Sequence, residues 1–187
     1  QCAQIMVDTI QTLKRLGLIK LLLLAILLRV ILMPFYFHPD IKTYHFQASF
    51  FKQGVFNIYT HLENNKENLF FKEEFVYFPL SYFSLGFYQM IISPFLGEGF
   101  TTWLNDASQG ANERVGVYRY LFLLKVPYLL IDLLIAFFLL RFFSQPDQKK
   151  KVFIFWLFNP LSIILIYIFS NLDIISVFLT LISLLFA

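Results

Sequence analysis

The chain has 187 residues, of which 58% are hydrophobic and 14% charged, and its mean hydropathy is +0.67. A soluble domain of this length could not bury so much apolar surface, so the composition predicts a protein whose solvent is lipid. The net charge of +3 is too small and too scattered to indicate nucleic-acid binding, and the single cysteine, Cys2, excludes a disulfide framework within the chain.

Five apolar stretches are candidate membrane spans. In chain order they cover residues 16–37, 75–96, 119–143, 152–169 and 174–187. The first four approach or exceed the length of about 20 residues that about 30 Å of hydrocarbon requires. The last is about a third short of that length, and we expect it to continue in a longer polytopic protein. Because such runs must be helical in lipid, the sequence predicts a single all-α transmembrane helix bundle over residues 1–187.

The connection 38–74, between the first two spans, has a helical pattern of its own. Apolar and aromatic side chains recur at helical spacing at Ile41, Tyr44, Ala48, Phe51 and Val55. Polar side chains fall on the other side, at Lys42, Ser49, Lys52 and Gln53. This pattern predicts an amphipathic helix that lies along the membrane interface after the first span.

Basic residues near the first span indicate its orientation. Lys14, Arg15 and Lys20 favour a cytoplasmic amino terminus by the positive-inside rule. Strict alternation then places the lysines of 149–151 outside, against that rule. Since the first helix usually dominates, we expect Asp40 to lie outside the cytoplasm. The predicted location is a multi-pass position in the plasma membrane of a prokaryote or the endoplasmic reticulum of a eukaryote.

Asp40 is the first candidate functional residue, because it follows the first span directly in the sequence His38-Pro39-Asp40. One interpretation is a helix N-cap, whose oxygen accepts an N–H of the following turn. The other is a catalytic carboxylate at the membrane surface, and the two roles are compatible. A metal site needs three or four donors, so His38 and Asp40 alone do not predict one.

Three ionisable residues lie deep inside predicted spans: Arg29, Lys125 and Asp132. Such residues are costly in lipid and usually face a cavity or a partner. Arg29 can extend toward the nearer interface, pair with Asp132, or bind a ligand. Lys125 and Asp132 are seven residues apart on one helix face and can pair or face a hydrophilic site. Asn159-Pro160 is expected to break the fourth span.

These motifs also occur in a characteristic order. They are Arg29, His38-Pro39-Asp40, Tyr44, Gly54, Tyr59, Tyr77-Phe78-Pro79-Leu80, Lys125-Val126-Pro127, Asp132, Asn159-Pro160 and Asn171-Leu172-Asp173. Over residues 16–187 this order resembles the amino-terminal half of GT-C superfamily glycosyltransferases. The pattern is most similar to mannosyltransferase-like membrane proteins related to the GPI mannosyltransferases and to bacterial polyprenyl-phosphate-mannose enzymes.

The resemblance implies a function. A sugar, such as the hexose mannose, would move from a polyprenyl-phosphate donor to a hydroxyl of a lipid or glycan acceptor outside the cytoplasm. Asp40 would be the catalytic residue, and the substrate-binding residues would be Arg29, His38, Tyr44, Tyr59, Tyr77, Lys125, Asn171 and Asp173. Many members carry a paired acidic motif, whereas this chain has one carboxylate there, which argues against a divalent cation as cofactor. The implied partners are the donor, the acceptor and membrane lipid, with no nucleic acid.

Two other functions fit the sequence. A transporter or lipid flippase would use the intramembrane charges and the broken helix for a substrate path near the midplane. A non-enzymatic assembly subunit would tolerate substitution of Asp40, Lys125 and Asp173. The chain contains no Walker-type loop, no G-x-G-x-x-G, no G-x-S-x-G and no H-E-x-x-H, so no nucleotide or hydrolase motif competes with these.

Overall fold

In the computed structural model, which describes residues 11, 12, 14, 16–106 and 116–187, every regular element is helical. The predicted all-α fold is therefore confirmed for this part of the chain. Cys2 and Arg15, on which the disulfide and orientation expectations partly depend, lie outside the described residues.

The first two helices meet at a sharp bend. Helix α1, Ile19–Phe35, contains Pro34 in its last turn, and Tyr36 then adopts an extended conformation. Helix α2, Pro39–Ser49, continues as a 3₁₀ turn, Phe50–Gln53, and its axis makes an angle of 79° with α1. The two prolines explain the break, because Pro34 removes a late hydrogen bond of α1 and Pro39 fits the first position of a new helix.

The expected helix after the first span is present, but several of its polar side chains are buried instead of facing solvent. Lys42, His45 and Gln47 are fully buried along with Ile41. Lys42 donates to the backbone carbonyl of Asp106 and lies over the rings of Phe71 and Trp103. The prediction that Lys42 faces water is wrong, because α2 is covered on its polar side by other parts of the chain.

The middle of the chain forms shorter elements around α2. Helix α3 is Ile58–Asn65, followed by a 3₁₀ turn, Lys66–Asn68; helix α4 is Pro79–Leu96, and helix α5 is Gly99–Leu104. Helix α4 packs across α2, and Gly97, with φ +77°, allows the chain to turn out of α4.

Helix α6, Val117–Leu139, is the central helix of the bundle. It packs against α1, against helix α7, Pro146–Phe158, and against helix α9, Asp173–Phe186. Between α7 and α9 lies the short helix α8, Pro160–Ile163, which continues as a π-helical turn, Ile164–Ile168. The predicted break at Asn159-Pro160 is confirmed: the chain bends there by 41°, and Asn159 Oδ1 accepts the N–H of Leu161 at 3.0 Å.

The structure supports fewer spans than the sequence predicts. Among the described helices, α6 alone is by itself long and apolar enough to cross a membrane. The bent pairs α1 with α2 and α7 with α8 would each add one if they act as broken spans, which gives up to three. Helix α4 has 18 residues but is not in this group, and α9 has only 14. The five-span bundle is not confirmed and stays a prediction.

Candidate functional site

A chain of hydrogen bonds connects three separate segments at the start of α2. Tyr44 donates its hydroxyl to Asp40 Oδ2 at 3.1 Å, and the hydroxyl of Tyr44 lies 3.3 Å from that of Tyr77. Tyr77 in turn donates to Asn171 Oδ1 at 3.3 Å. Asn171 Oδ1 also accepts the backbone N–H of Asp173 at 2.8 Å. We call these five residues, together with His38, the polar cluster.

Sequence position explains half of this arrangement. Asp40 and Tyr44 are four residues apart on α2, so their side chains meet on one helix face. Tyr77 lies two residues before α4, and Asn171 lies in the turn before α9, so tertiary packing alone brings them together. The rings of Tyr44 and Tyr77 pack edge to face with centroids 5.2 Å apart.

His38 determines the environment of Asp40. It is the N-cap of α2, and its Nδ1 accepts the backbone N–H of Asp40 at 3.3 Å. The expectation that Asp40 itself caps the helix is therefore wrong, because the cap is already supplied two residues earlier. His38 Nδ1 also lies 3.3 Å from Asp40 Oδ1, so the imidazole contacts both the backbone and the side chain of Asp40. The Asp40 side chain keeps 46% of its surface exposed.

The polar cluster has fewer protons than hydrogen-bond contacts. Burial raises the pKa of both the Tyr44 and the Tyr77 phenol, so both hydroxyls keep their protons at neutral pH. The Asn171 amide oxygen is an acceptor whose orientation is fixed by the N–H of Asp173. With Asp40 ionised, two hydroxyl protons serve three oxygen–oxygen contacts. The contact between the two phenols therefore lacks a proton of its own, and the acceptor that a donor from outside can reach is the 46% exposed Asp40 carboxylate.

Tyr59 lies at the edge of the polar cluster. Its hydroxyl donates to the backbone carbonyl of Tyr77, and the residue is 40% exposed. It therefore helps to hold Tyr77 in place while keeping surface available. Of the predicted substrate-binding residues, the structure thus brings His38, Tyr44, Tyr59, Tyr77, Asn171 and Asp173 together around Asp40.

Lys125 is placed nearby but is engaged with backbone. Its Nζ donates to the carbonyl of Tyr36 at 2.5 Å and to that of Tyr167 at 2.6 Å. Both carbonyls lie where regular α-helix stops, at the end of α1 and in the π-helical turn. The lysine thus joins these two irregular ends to α6, and one of its three ammonium protons remains for another acceptor.

Arg29 lies apart from the polar cluster, in a second group that we call the closed pair. Its Nε donates to Asp132 Oδ2 at 2.6 Å, and neither side chain has any exposed surface. Trp156 Nε1 and the Tyr167 hydroxyl each donate to the same carboxylate at 2.8 Å. The pairing with Asp132, which was one of three interpretations of Arg29, is the one that the structure shows.

Three neighbours of the polar cluster were not predicted. The Phe169 ring lies 4.9 Å from that of His38. Ser170 has φ +56°, and its buried Oγ has no hydrogen-bond partner among the described residues. The buried Tyr128 hydroxyl likewise has no partner there, and Tyr128 packs in the same apolar cluster as Tyr44 and Tyr77. Helical spacing gave a signal for Tyr128, since it lies three residues after Lys125 and four before Asp132 on one face of α6.

The described residues contain no group of three or more His, Cys, Asp or Glu side chains placed to hold a metal ion. Comparisons of the chain with protein-family models, curated proteins and solved structures find no match.

Proposed function

We propose that this protein is a membrane glycosyltransferase that moves a hexose, such as mannose, from a polyprenyl-phosphate donor to an acceptor hydroxyl at the non-cytoplasmic face. The observation that carries the proposal is the half-exposed carboxylate of Asp40. It is not used as a helix cap, and it accepts a hydrogen bond from the phenol of Tyr44, which in turn contacts the Tyr77 hydroxyl from another segment. A carboxylate that is both positioned and accessible suits a general base.

The proposed reaction uses the exposed part of the Asp40 carboxylate. An acceptor hydroxyl would donate to it, with the phenols of Tyr44 and Tyr77 beside it. Asp40 takes the hydroxyl proton as the acceptor oxygen attacks the anomeric carbon of the sugar. The bond between that carbon and the phosphate oxygen breaks, its electrons stay on the lipid phosphate, and the anomeric configuration inverts.

The leaving phosphate needs a hydrogen-bond donor of its own. The polar cluster contains mainly acceptors. The negative charges of Asp40 and Asp173 both help to raise the pKa of the Tyr77 phenol. The phosphate would therefore bind beside the cluster rather than in it. The candidate is the imidazole of His38, whose side chain is 30% exposed beside Asp40. Lys125 is fully buried, and its ammonium donates to two backbone carbonyls. Arg29 takes no part in this chemistry, because Asp132 neutralises it in the core.

The test is transfer of radiolabelled sugar from polyprenyl-phosphate-mannose in membranes that carry the protein. Asp40→Asn removes the base and keeps the shape, so transfer should fall by about 10²- to 10⁴-fold. Asp147→Asn is the matched control, because Asp147 also follows a proline at the start of a helix, α7, and is exposed. Wild-type transfer by Asp40→Asn would show that the base is assigned wrongly.

A further inference from the structure

A second region of the chain has the shape of a ligand site. A cavity of about 590 Å³ lies between the 3₁₀ turn after α2, residues 68–70, the second half of α4, and α5. Neither Asp40 nor any other member of the polar cluster lines it. Its volume is within the range of about 300–1,000 Å³ that small-molecule sites occupy.

The polar lining of this cavity favours a negatively charged group. Of the described residues that line it, one is charged, Lys52, and none is acidic. Neutral groups that can donate hydrogen bonds accompany Lys52 at Gln53, Asn68, Gln89 and Asn105. Arg119 adds a second positive charge at the margin, since its guanidinium donates to the Leu96 carbonyl at 2.8 Å beside the lining residue Gly97.

The rest of the lining is apolar and continues onto an exposed apolar surface. Phe70 and Met90 line the cavity and are 58% and 43% exposed. Next to Met90, helix α4 carries Phe87, Ile91 and Phe95, which are each more than half exposed. An exposed apolar rim of this kind suits contact with the acyl chain of a lipid better than contact with water.

We propose that this cavity binds one phospholipid with a net negative headgroup. The phosphate would lie against Lys52 and the neighbouring amides, and an acyl chain would leave over Phe70 and Met90 toward the exposed face of α4. A free phosphate ion fits less well, because most of the wall is apolar and would stay uncovered. This site does not rest on the proposed transferase activity.

The experiment is a thermal unfolding titration of the purified protein in detergent micelles, without sugar donor. The probes are dioctanoyl phosphatidylglycerol, dioctanoyl phosphatidylcholine and inorganic phosphate. We expect phosphatidylglycerol to raise the unfolding midpoint at about tenfold lower concentration than phosphatidylcholine, because a hydrogen bond from an ammonium to a phosphate without a compensating cation is strong. Equal potency of the two lipids, or the same shift with inorganic phosphate, overturns the proposal.

Two variants locate the binding. Lys52→Gln changes an exposed side chain. It should weaken the binding of phosphatidylglycerol about tenfold and leave the binding of phosphatidylcholine unchanged. Ser93→Trp places a large ring in the cavity and should weaken both lipids. Lys66→Gln is the control, because Lys66 is an exposed lysine outside this cavity and should bind as wild type. Wild-type binding of phosphatidylglycerol by Lys52→Gln refutes the proposed headgroup site even if Ser93→Trp does not fold.

Discussion

The closed pair and the polar cluster are built from the same kinds of groups but are enclosed to different degrees. In the closed pair, the Asp132 carboxylate accepts from Arg29, Trp156 and Tyr167, and neither charged side chain is exposed. In the polar cluster, Asp40 accepts from one phenol and keeps nearly half of its surface exposed. A carboxylate that is fully buried among three donors holds helices together, whereas one that is half exposed can take part in chemistry.

This difference corresponds to the structural elements that form each group. The closed pair joins α1, α6 and the α7 to α8 region inside the bundle, where a lone charge would face lipid or apolar side chains. The polar cluster forms where helices begin or end, at the start of α2, before α4 and before α9. Helix ends leave backbone and side-chain groups accessible, so the same residue types there remain available to a ligand.

The largest expected effect is a loss of stability on substitution in the closed pair. Asp132→Asn leaves Arg29 buried without a counter-charge, and we expect a loss of about 3–5 kcal/mol in the free energy of unfolding. Chemical denaturation in detergent micelles would measure it. The double variant Arg29→Met with Asp132→Leu should regain part of the loss, because no unpaired charge remains but the buried Tyr167 hydroxyl loses its acceptor. If Asp132→Asn were as stable as wild type, the Arg29 charge would not depend on Asp132 in the core.

Lys125 links the two groups through the backbone: it donates to the carbonyl of Tyr167, whose hydroxyl contacts Asp132, and to the carbonyl of Tyr36, two residues before His38. Its substitution should have the next largest effect on stability. Lys125→Met leaves the carbonyls of Tyr36 and Tyr167 without their donor, which should lower the free energy of unfolding by about 1–3 kcal/mol. Lys150→Met, on the exposed side of α7, is the control and should change stability by less than about 0.5 kcal/mol. The same unfolding assay applies, and equal stability of the two variants would argue against the joining role.

Tyr77 tests the polar cluster itself with a smaller change. Tyr77→Phe removes the donor to Asn171 and the contact to Tyr44, so we expect a loss of about 0.5–1.5 kcal/mol in stability and a lower transfer rate. Tyr118→Phe, at a position that is 60% exposed, should leave both unchanged. A wild-type rate of sugar transfer by Tyr77→Phe would contradict a role of the polar cluster in the reaction.

The last expected effect is a pH dependence of stability that arises in α2. Burial lowers the pKa of His45 to about 4, against about 6.5 in an unfolded chain. The unfolded protein therefore binds more protons between these values, and the free energy of unfolding should fall as pH decreases from about 6.5 to about 4. His45→Gln should flatten that part of the profile in a denaturation series over pH. An unchanged slope would show that His45 is not buried in its neutral form.

Several of these features follow from the sequence. The break at Asn159-Pro160 follows from proline chemistry, and the contact between Asp40 and Tyr44 follows from a spacing of four residues on a helix. The pairing of Arg29 with Asp132 was one of the alternatives, because opposite charges inside an apolar bundle are stable only together.

Other features depend on tertiary packing that local patterns do not encode. The contact between Tyr77 and Asn171 joins residues 94 apart, and no periodicity predicts it. Lys42 follows the polar side of a helical pattern, yet it is buried, because residues near Asp106 cover that side. The five-span count stays a prediction, because α6 alone among the described helices is by itself long and apolar enough to cross a membrane, and α9 has 14 residues.

Parallel assay of Asp40→Asn and Asp132→Asn for both unfolding free energy and sugar transfer per folded molecule tests the central claim most directly. We expect Asp40→Asn to stay within about 0.5 kcal/mol of wild-type stability and to lose at least about 100-fold in transfer. Asp132→Asn should be much less stable but keep transfer in the fraction that folds. Full turnover by Asp40→Asn, or a stability loss equal to that of Asp132→Asn, would contradict the assignment of the open carboxylate to chemistry and the closed one to the fold.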